Sequence, residues 1–341
     1  MNFKIENYGA IFVVSFEAGA ANILSSFLKN CVINNKGCYN AVKYCLAGPA
    51  KQIFETKLKD IDAAALQDIN KLDPEKDIVF TGRSLIPELE RDAIRLAKLN
   101  KIRAVTFLDH WVNYEGGFLP VSKKNDYSEQ ELIDYLPDEI VVGDVYADEV
   151  IQKTKIPYNR IRFAENEYFN DIKSFFRSKQ IAAGKRVLYL SEPIYDDLKK
   201  IYGDGNMWGF NEFDVVKDIV AAAPIFKQLG FDELVIRLHP NEAREKYAEI
   251  IRQSNKDYIR IYLSENWKLE EDIASASMVV GMESMGLVIA MLAGKKVVSY
   301  LPKSAVKKCS LPHKGLIYIN DFNLLKGIKI WESLRLMAEN Q

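Results

Sequence analysis

A group of residue types that suit phosphate binding stands in the second half of the chain. Arg237 lies at the end of an apolar run, and His239 and Pro240 follow it after one residue. Proline stiffens the turn, while arginine and histidine carry N–H groups and charge. A helix predicted over 242–254 would add its free N–H groups. The pattern predicts phosphate binding by Arg237, His239 and Pro240; a histidine that only caps a strand edge is the alternative.

A second candidate phosphate site follows another apolar run. Residues 281–286 read Gly-Met-Glu-Ser-Met-Gly and precede an apolar helix predicted over 287–293. Small residues allow close approach of a ligand, and Ser284 and Met285 stand where a helix N-terminus presents its amides. Glu283 would repel a phosphate, so we expect it to bind ribose hydroxyls, face solvent or hold a basic side chain. The alternative is a serine N-cap with a packing glycine.

The first half of the chain carries its own acidic loop after an apolar run at 11–15. Glu17 can take a proton from an acceptor hydroxyl there, and the small residue Gly19 leaves room for the acceptor. The alternative is that Glu17 is only a charge at a helix start.

A dense polar and aromatic run follows the apolar segment 103–108. It supplies an acid, an imidazole, an indole, an amide and a phenol within six positions, at Asp109, His110, Trp111, Asn113 and Tyr114. Asp109 and His110 are candidate catalytic groups. The other three, with Arg83 after the run at 77–81, are candidate contacts to a sugar or an acceptor, although Trp111 could equally belong to the core.

These residues need elements that hold them, and the pattern predicts alternating strands and helices. In the first half, strands are predicted at 11–15, 41–47, 77–81, 103–108, 139–143 and 160–163, with helices at 22–29, 52–58, 86–99 and 146–153. Such alternation is typical of a parallel, doubly wound sheet. Residues 119–134 form the one long polar insertion, which predicts a mobile loop.

The second half repeats the same alternation. Strands are predicted at 187–190, 233–238, 259–263, 278–281, 296–299 and 316–319, with helices at 212–229, 242–254, 270–276 and 287–293 and a last helix at 323–339. We therefore predict an α/β protein with Rossmann-like domains at 1–170 and 180–322. Residues 323–341 form a C-terminal helix that closes the chain or crosses back to the first domain.

Length and composition limit the classes of function. A chain of 341 residues exceeds what one core usually supports, and a net charge of −1 gives no general attraction to nucleic acid. The four cysteines contain no C-x2-C pair, and no P-loop or H-E-x-x-H motif is present. The start of the chain lacks signal-peptide features, so we expect a cytoplasmic protein; peripheral association with the inner face of the cell membrane is compatible with this.

The segment Arg237-Leu-His-Pro240, with Ser277–Pro302, resembles bacterial glycosyltransferases of the GT-B architecture, which have two facing Rossmann-like domains. Its His-Pro turn is similar to that of bacterial sialyltransferases and of capsule transferases that use CMP-activated acidic sugars. The resemblance implies that His239 contacts the donor nucleotide and that Ser284 holds its phosphate. Glu17-Ala18-Gly19 is similar to the family's general-base loop but lacks the second acid.

Four further segments are similar to polysaccharide-biosynthesis proteins of this broad class. They are 81–84, 107–114, 136–139 and 191–194, and the last of them adds Glu192 to the candidate sugar or acceptor contacts.

The leading hypothesis is a metal-independent glycosyltransferase without a cofactor. It would move a sugar from a CMP- or UDP-linked donor to a glycan or lipid-linked acceptor in cell-surface polysaccharide biosynthesis, with the active site in the cleft between its domains. One alternative is a sugar-nucleotide epimerase or hydrolase on the same fold. The other is a non-catalytic subunit that binds a nucleotide or a glycan.

Overall fold

Short apolar runs rich in Val, Ile and Phe form the strands of two parallel sheets. A computed structural model describes Phe3 and residues 8–33, 41–123, 127–179, 184–254, 257–265 and 268–327. The chain divides into two units, Met1–Asp171 and Ile172–Gln341, and each unit contains one sheet.

The first sheet has six strands in the order β2-β1-β3-β4-β5-β6. They are β1 (Ala10–Ser15), β2 (Ala41–Leu46), β3 (Ile78–Thr81), β4 (Arg103–Phe107), β5 (Glu139–Val142) and β6 (Ile161–Phe163). The helices are α1 (Ala18–Phe27), α2 (Pro49–Lys57), α3 (Leu89–Leu99), α4 (Glu129–Tyr135), α5 (Val145–Ile151) and α6 (Glu167–Ser178). Phe27 of α1 packs on Phe107 with ring centroids 4.8 Å apart and so fixes α1 on the sheet.

The second sheet has six strands in the order β12-β11-β10-β7-β8-β9. They are β7 (Arg186–Leu190), β8 (Glu233–Arg237), β9 (Arg260–Leu263), β10 (Met278–Gly281), β11 (Lys296–Tyr300) and β12 (Ile317–Ile319). The helices are α7 (Ile194–Tyr202), α8 (Glu212–Ala221), α9 (Ala223–Gln228), α10 (Ala248–Gln253), α11 (Leu269–Ser275) and α12 (Met285–Leu292). Tyr300 stacks on Phe322 with ring centroids 4.3 Å apart in the core of this unit.

Each sheet has one point at which the strand order reverses. β1 lies between β2 and β3 in the first sheet, and β7 lies between β8 and β10 in the second. In open parallel sheets, the loops after the two strands at such a point leave a crevice in which ligands bind. The topology therefore predicts one ligand-binding crevice at the loops after β1 and β3, and another at the loops after β7 and β10.

The twelve predicted strands are all present, with each end within one residue of its predicted position. The predicted helices are less accurate. The helix expected over 242–254 begins only at Ala248, because Glu242 folds back to accept the His239 N–H group in a turn. The helix expected over 212–229 is divided in two, with Pro224 near the start of α9.

Two further predictions about segments need correction. Residues 119–134, predicted as a mobile loop, contain most of α4, because Ser128 and Glu131 form a reciprocal cap at its start. The sequence prediction also missed α7. Most of the C-terminal helix predicted over 323–339 lies outside the described residues, and Phe322–Gly327 forms a 3-10 helix.

The N-cap residue of α8, Asn211, stabilises the start of this helix, and its contribution can be measured by substitution. Asn211 Oδ1 accepts hydrogen bonds from the N–H groups of Phe213 and Asp214 at 2.9 and 3.3 Å. We expect Asn211→Ala to lower the free energy of unfolding by about 1 kcal/mol, measured by urea denaturation. Asn211→Asp keeps the acceptor oxygen and should cost much less. An equal loss in both variants would contradict capping as the cause.

Candidate functional site

The carboxylate of Glu192 binds three backbone N–H groups at the reversal point of the second sheet. Glu192 follows β7, and its Oε1 accepts hydrogen bonds from Met282, Glu283 and Ser284 at 3.1, 2.9 and 3.1 Å. Ser284 is the N-cap residue of α12, and Met282 and Glu283 precede it, so these amides lie in the loop that leads into the helix. The N–H groups of the loop after β10 can bind an anionic group, and in this structure they bind the Glu192 carboxylate.

The start of α12 is closely packed below these amides. Met285 is the first residue of the helix, and a methyl group on Gly286 would lie 2.6 Å from Leu190 Cδ1. Glycine at 286 therefore lets α12 approach β7, as the packing alternative predicted. The side chain of Ser284 makes no capping hydrogen bond, so the serine N-cap alternative is met in position but not in contact.

The ionisation of Glu192 is unfavourable despite its three donors. Burial and the negative charge of Glu283 together raise the pKa of Glu192 to about 7, against the backbone hydrogen bonds, which favour the charged form. The residue is nevertheless partly exposed. Both its charged and its neutral form are therefore populated near neutral pH.

Glu283 holds a basic side chain, which is one of the three roles expected for it. Its Oε1 pairs with Lys307, and its Oε2 accepts hydrogen bonds from the N–H and hydroxyl groups of Ser310 at 3.1 and 2.7 Å. Burial opposes its ionisation, but the Lys307 charge and these hydrogen bonds outweigh burial and lower the pKa of Glu283. The Lys307 ammonium also lies 3.8 Å from the centre of the Trp208 ring. The negative charge beside the amides is thus compensated.

Arg237, at the end of β8, pairs with a buried carboxylate. Its Nη1 donates to Asp272 Oδ2 at 2.7 Å, and the Asp272 side chain is only 2% exposed. The Ser264 hydroxyl donates to the same oxygen at 2.5 Å. This guanidinium group therefore holds α11 against β8, in addition to any role toward a ligand.

His239 is partly buried and lies in the turn that follows β8. Its Nδ1 accepts a hydrogen bond from the Asn241 N–H group at 3.2 Å, which assigns the ring hydrogen to Nε2. Burial lowers the pKa of His239; the Lys246 charge acts in the same direction, and Glu242 opposes them. At neutral pH the imidazole is therefore uncharged and offers an N–H donor in place of the positive charge expected from the sequence. Pro240 is exposed.

A buried polar network supports the His239 turn from below. Glu242 accepts hydrogen bonds from the His239 N–H group at 2.7 Å, from Ser191 Oγ at 3.0 Å and from Lys246 at 2.8 Å. Lys246 also donates to Glu212 at 2.5 Å. Sequence reasoning missed this network because its charged residues resemble an exposed helical surface. The four-residue spacing of Glu242 and Lys246 was the available signal.

Asp109 meets the start of α1 at the reversal point of the first sheet. A methyl group on Gly19 would overlap the Asp109 carboxylate, so glycine is required for this close approach. Within the described part of the chain, Asp109 makes no hydrogen bond or ion pair. Glu17 occupies the N-cap position of the same helix, and its side chain does not cap it. The structure thus brings Glu17, Gly19 and Asp109, predicted from separate segments, to one edge.

A buried carboxyl group, which sequence reasoning missed, joins the two loops at this edge. Glu90 of α3 is 1% exposed, and its Oε1 accepts hydrogen bonds from the Phe16 N–H group at 2.7 Å and from Ser84 Oγ at 2.9 Å. Its Oε2 is buried without a partner among the described residues, as is the Ser15 hydroxyl. Burial raises the pKa of Glu90. A glutamate in the first turn of a helix ordinarily indicates an exposed charge, so no sequence signal indicated this role.

The aromatic run after β4 is packed into the first unit. Trp111 is 3% exposed, and its Nε1 donates to both carboxylate oxygens of Asp144 at 3.0 Å. His110 packs beside Trp111 with ring centroids 5.7 Å apart. Tyr114 is buried as well, whereas Asn113 is exposed with φ of 51°. Trp111 therefore belongs to the core, as the alternative held, and its ring is not an open platform for a sugar.

Two buried arginines hold the same loops through backbone carbonyl groups. Arg83 donates from Nη1 to the Asn113 carbonyl at 2.7 Å, and its guanidinium lies 5.9 Å from the Tyr114 ring centre. Arg91 donates from Nη1 to the carbonyls of Ser84 and Gly117 at 2.9 and 3.2 Å. Arg83 thus stabilises the loop that carries the predicted site residues.

The described residues lack two features, a membrane-spanning helix and a cluster of metal-ligating side chains. None of their helices has the length and apolar character needed to cross a bilayer. No three or more of their His, Cys, Asp and Glu side chains form a group that could hold a metal ion.

Comparison with known proteins gives similarity at the level of the fold. No protein-family model and no curated protein matches the chain. Among solved structures, UDP-GlcNAc 2-epimerase from Methanocaldococcus jannaschii is 12% identical, with a TM-score of 0.59 over 93% of this chain and 91% of that chain. The Neisseria meningitidis UDP-GlcNAc 2-epimerase, bound to UDP-GlcNAc, is 14% identical, with a TM-score of 0.53 over 87% and 83%.

A glycotransferase of kitacinnamycin is also similar, with 12% identity and a TM-score of 0.50 over 93% of this chain and 87% of that chain. At such identities the likeness establishes the fold alone. The predicted class, an α/β protein with two Rossmann-like, doubly wound domains of the GT-B type, is confirmed.

The buried carboxyl of Glu90 generates a prediction for stability. Because its pKa is raised on folding, its contribution to the free energy of unfolding is greatest below about pH 4.3, the pKa of an unfolded glutamate, and is lost as the pH rises through the folded pKa. Glu90→Gln cannot ionise, so it should gain stability relative to the unsubstituted protein between pH 5 and pH 8 in urea denaturation.

Glu90→Ala serves as the structural comparison. It leaves the Phe16 N–H group and the Ser84 hydroxyl unpaired and should cost about 2 kcal/mol. If the difference between Glu90→Gln and the unsubstituted protein were the same at both pH values, Glu90 would not have the raised pKa described above.

Proposed function

We propose that the chain is a glycosyltransferase that uses a nucleotide-sugar donor, and that the second unit binds the donor. The observation that carries this proposal is the convergence of the Met282, Glu283 and Ser284 N–H groups on one anionic oxygen at the reversal point of the second sheet. A phosphate oxygen has the charge and acceptor capacity that such a group of amides selects. The resemblance of the His239-Pro240 turn to that of CMP-sugar transferases supports a CMP-linked acidic sugar as the first donor to test.

On the donor side, this proposal assigns stabilisation to fixed N–H donors. As the bond between the sugar and the nucleotide breaks, the electron pair leaves with the phosphate, whose negative charge increases. The amides at the start of α12 and the Nε2–H group of neutral His239 would then bind more strongly than in the ground state. Because Glu283 is paired with Lys307, its charge opposes this less than a free carboxylate would.

On the acceptor side, Asp109 is our candidate general base. It would take the proton of the acceptor hydroxyl while that oxygen forms the bond to the anomeric carbon. Two observations favour Asp109 over Glu17: the close fit of its carboxylate against Gly19, and its lack of a hydrogen bond or ion pair within the described residues. The acceptor would be a hydroxyl of a glycan or of a lipid-linked glycan.

A sugar-nucleotide epimerase is the second candidate. It is favoured by the similarity of fold to UDP-GlcNAc 2-epimerases over most of the chain. One fold supports both chemistries, so this similarity is an argument by analogy.

One experiment separates these functions. Thermal stability is measured with CMP, CDP, UDP, GDP and TDP, since a ligand that binds the folded state raises its stability. The nucleotide sugars of the stabilising bases are then incubated with and without acceptor glycans. Transfer that requires acceptor supports the proposal, whereas isomerisation of the donor alone supports the epimerase. Binding without any turnover would indicate a non-catalytic subunit.

Asp109 gives the sharpest prediction for activity. Asp109→Asn should lower the transfer rate on the order of a hundredfold or more, because general-base catalysis contributes at least that much, while donor binding is kept. Asp92→Asn, at an aspartate of α3 whose side chain is 47% exposed, is the matched control and should leave the rate unchanged. Transfer by Asp109→Asn at the unsubstituted rate would exclude Asp109 as the base and leave Glu17→Gln as the variant to test.

His239 gives a prediction for the donor side. His239→Ala removes the Nε2–H donor and should weaken donor binding by roughly tenfold, measured by calorimetry, with the chain still folded. Since His239 is neutral, the loss of affinity caused by His239→Ala should be the same at every pH above its lowered pKa. A binding constant equal to that of the unsubstituted protein would remove His239 from the donor site.

A further inference from the structure

The amides that would bind the donor phosphate are already occupied. All three donate to one oxygen of Glu192, so a phosphate oxygen and the carboxylate would compete for the same N–H groups. The residue is partly exposed, although burial raises the pKa of its carboxyl group.

We propose that Glu192 is a tethered competitor of the donor phosphate: its carboxylate fills the phosphate position of the empty enzyme, and an incoming phosphate must displace it. The identity of the phosphate as that of a nucleotide sugar rests on the proposed function. The competition itself concerns any anion that enters this group of amides.

Simultaneous occupation by both anions is electrostatically unfavourable. Glu283 already places a second carboxylate beside Glu192, and its charge is compensated by a single lysine, Lys307. A phosphate added beside two carboxylates would meet repulsion in a poorly solvated loop, where charges interact strongly. Displacement of Glu192 removes one of these charges from the amides at the moment the phosphate arrives.

The backbone at Glu192 is fixed, so displacement requires rotation of the side chain only. Ser191 donates its N–H group to the Arg237 carbonyl at 2.9 Å, and its hydroxyl lies 2.7 Å from the Tyr247 hydroxyl. The Ile194 N–H group donates to the Glu192 carbonyl at 2.9 Å. The carboxylate is therefore the movable part of a rigid loop.

This arrangement makes the site selective for ligands that contribute other contacts. A bare anion must displace the carboxylate through its phosphate contacts alone, whereas a nucleotide sugar adds contacts of its base and sugar. It also links affinity to pH, because the neutral carboxyl group is a weaker acceptor and leaves the amides more readily.

Among the described residues named below, Glu192 alone titrates near neutral pH. Glu283 stays ionised because its pKa is lowered, and His239 stays neutral above its lowered pKa. Burial raises the pKa of Cys309 and that of Tyr189, so neither ionises at this pH. The remaining neighbour, Lys307, is paired with Glu283.

The test compares anion binding by the full chain with that of Glu192→Gln, which keeps the size of the side chain but cannot carry the charge. Sulfate is the first probe, because it keeps its charge over the whole range. CMP and UDP are the second, and both are measured by calorimetry at about pH 6.5 and about pH 8.5. Glu245→Gln, an exposed glutamate of the same unit, is the matched control for the change in net charge.

At about pH 8.5, Glu192→Gln should bind sulfate and the stabilising nucleotide roughly tenfold more tightly than the unsubstituted protein. The difference should shrink toward about pH 6.5, where Glu192 becomes protonated. Glu245→Gln should match the unsubstituted protein at both pH values.

Equal or weaker anion binding by a folded Glu192→Gln variant would overturn the proposal. Should that variant unfold, sulfate affinity of the unsubstituted protein that does not change between the two pH values would overturn it as well. The proposed function fails separately: if no nucleotide binds either protein, the sulfate results still decide the role of Glu192. If nucleotides bind both proteins equally, only the competitor role is lost.

Discussion

The second unit depends on an acceptor for the N–H groups of Met282, Glu283 and Ser284, which lead into α12. Backbone N–H groups that are partly buried need a hydrogen-bond partner, and this loop lies at the reversal point of the sheet. Glu192 supplies the acceptor at the cost of a buried charge next to Glu283. One of the unit's own side chains therefore keeps these three N–H donors in a geometry that can bind an anion. The Glu192 carboxylate stabilises this loop when no ligand is bound, although burial and the Glu283 charge disfavour its ionisation.

Buried carboxyl groups brace the strand-end loops in both units. Glu90 joins the loops after β1 and β3, Glu242 holds the His239 turn, and Asp272 fixes Arg237 at the end of β8. Each accepts several hydrogen bonds, which offsets part of the cost of burying it. These polar contacts make the loops after β1, β3 and β8 rigid.

Sequence periodicity predicted the strands well, because a buried parallel strand is a continuous apolar run whatever its partners. It also brought Gly19 and Asp109 into the candidate set, although only the fold brings them into contact. Periodicity failed where a single polar side chain determines where a helix begins or whether a charged residue is buried. Glu242 accepts the His239 N–H group, so α10 begins later than predicted. Glu90 has the sequence pattern of an exposed helical charge but is buried. Such cases depend on long-range partners, which one sequence does not reveal.

The contact between Glu192 and the loop after β10 also affects how ligand binding would be detected. Amide hydrogens at a helix start usually exchange rapidly with solvent, and they slow when a ligand covers them. Those of Met282, Glu283 and Ser284 are hydrogen-bonded before any ligand arrives. Exchange at these amides would change little when one acceptor replaces another. The amides closest to the bound anion would then show the smallest change in hydrogen exchange. The position of the Glu192 side chain would report anion binding more directly.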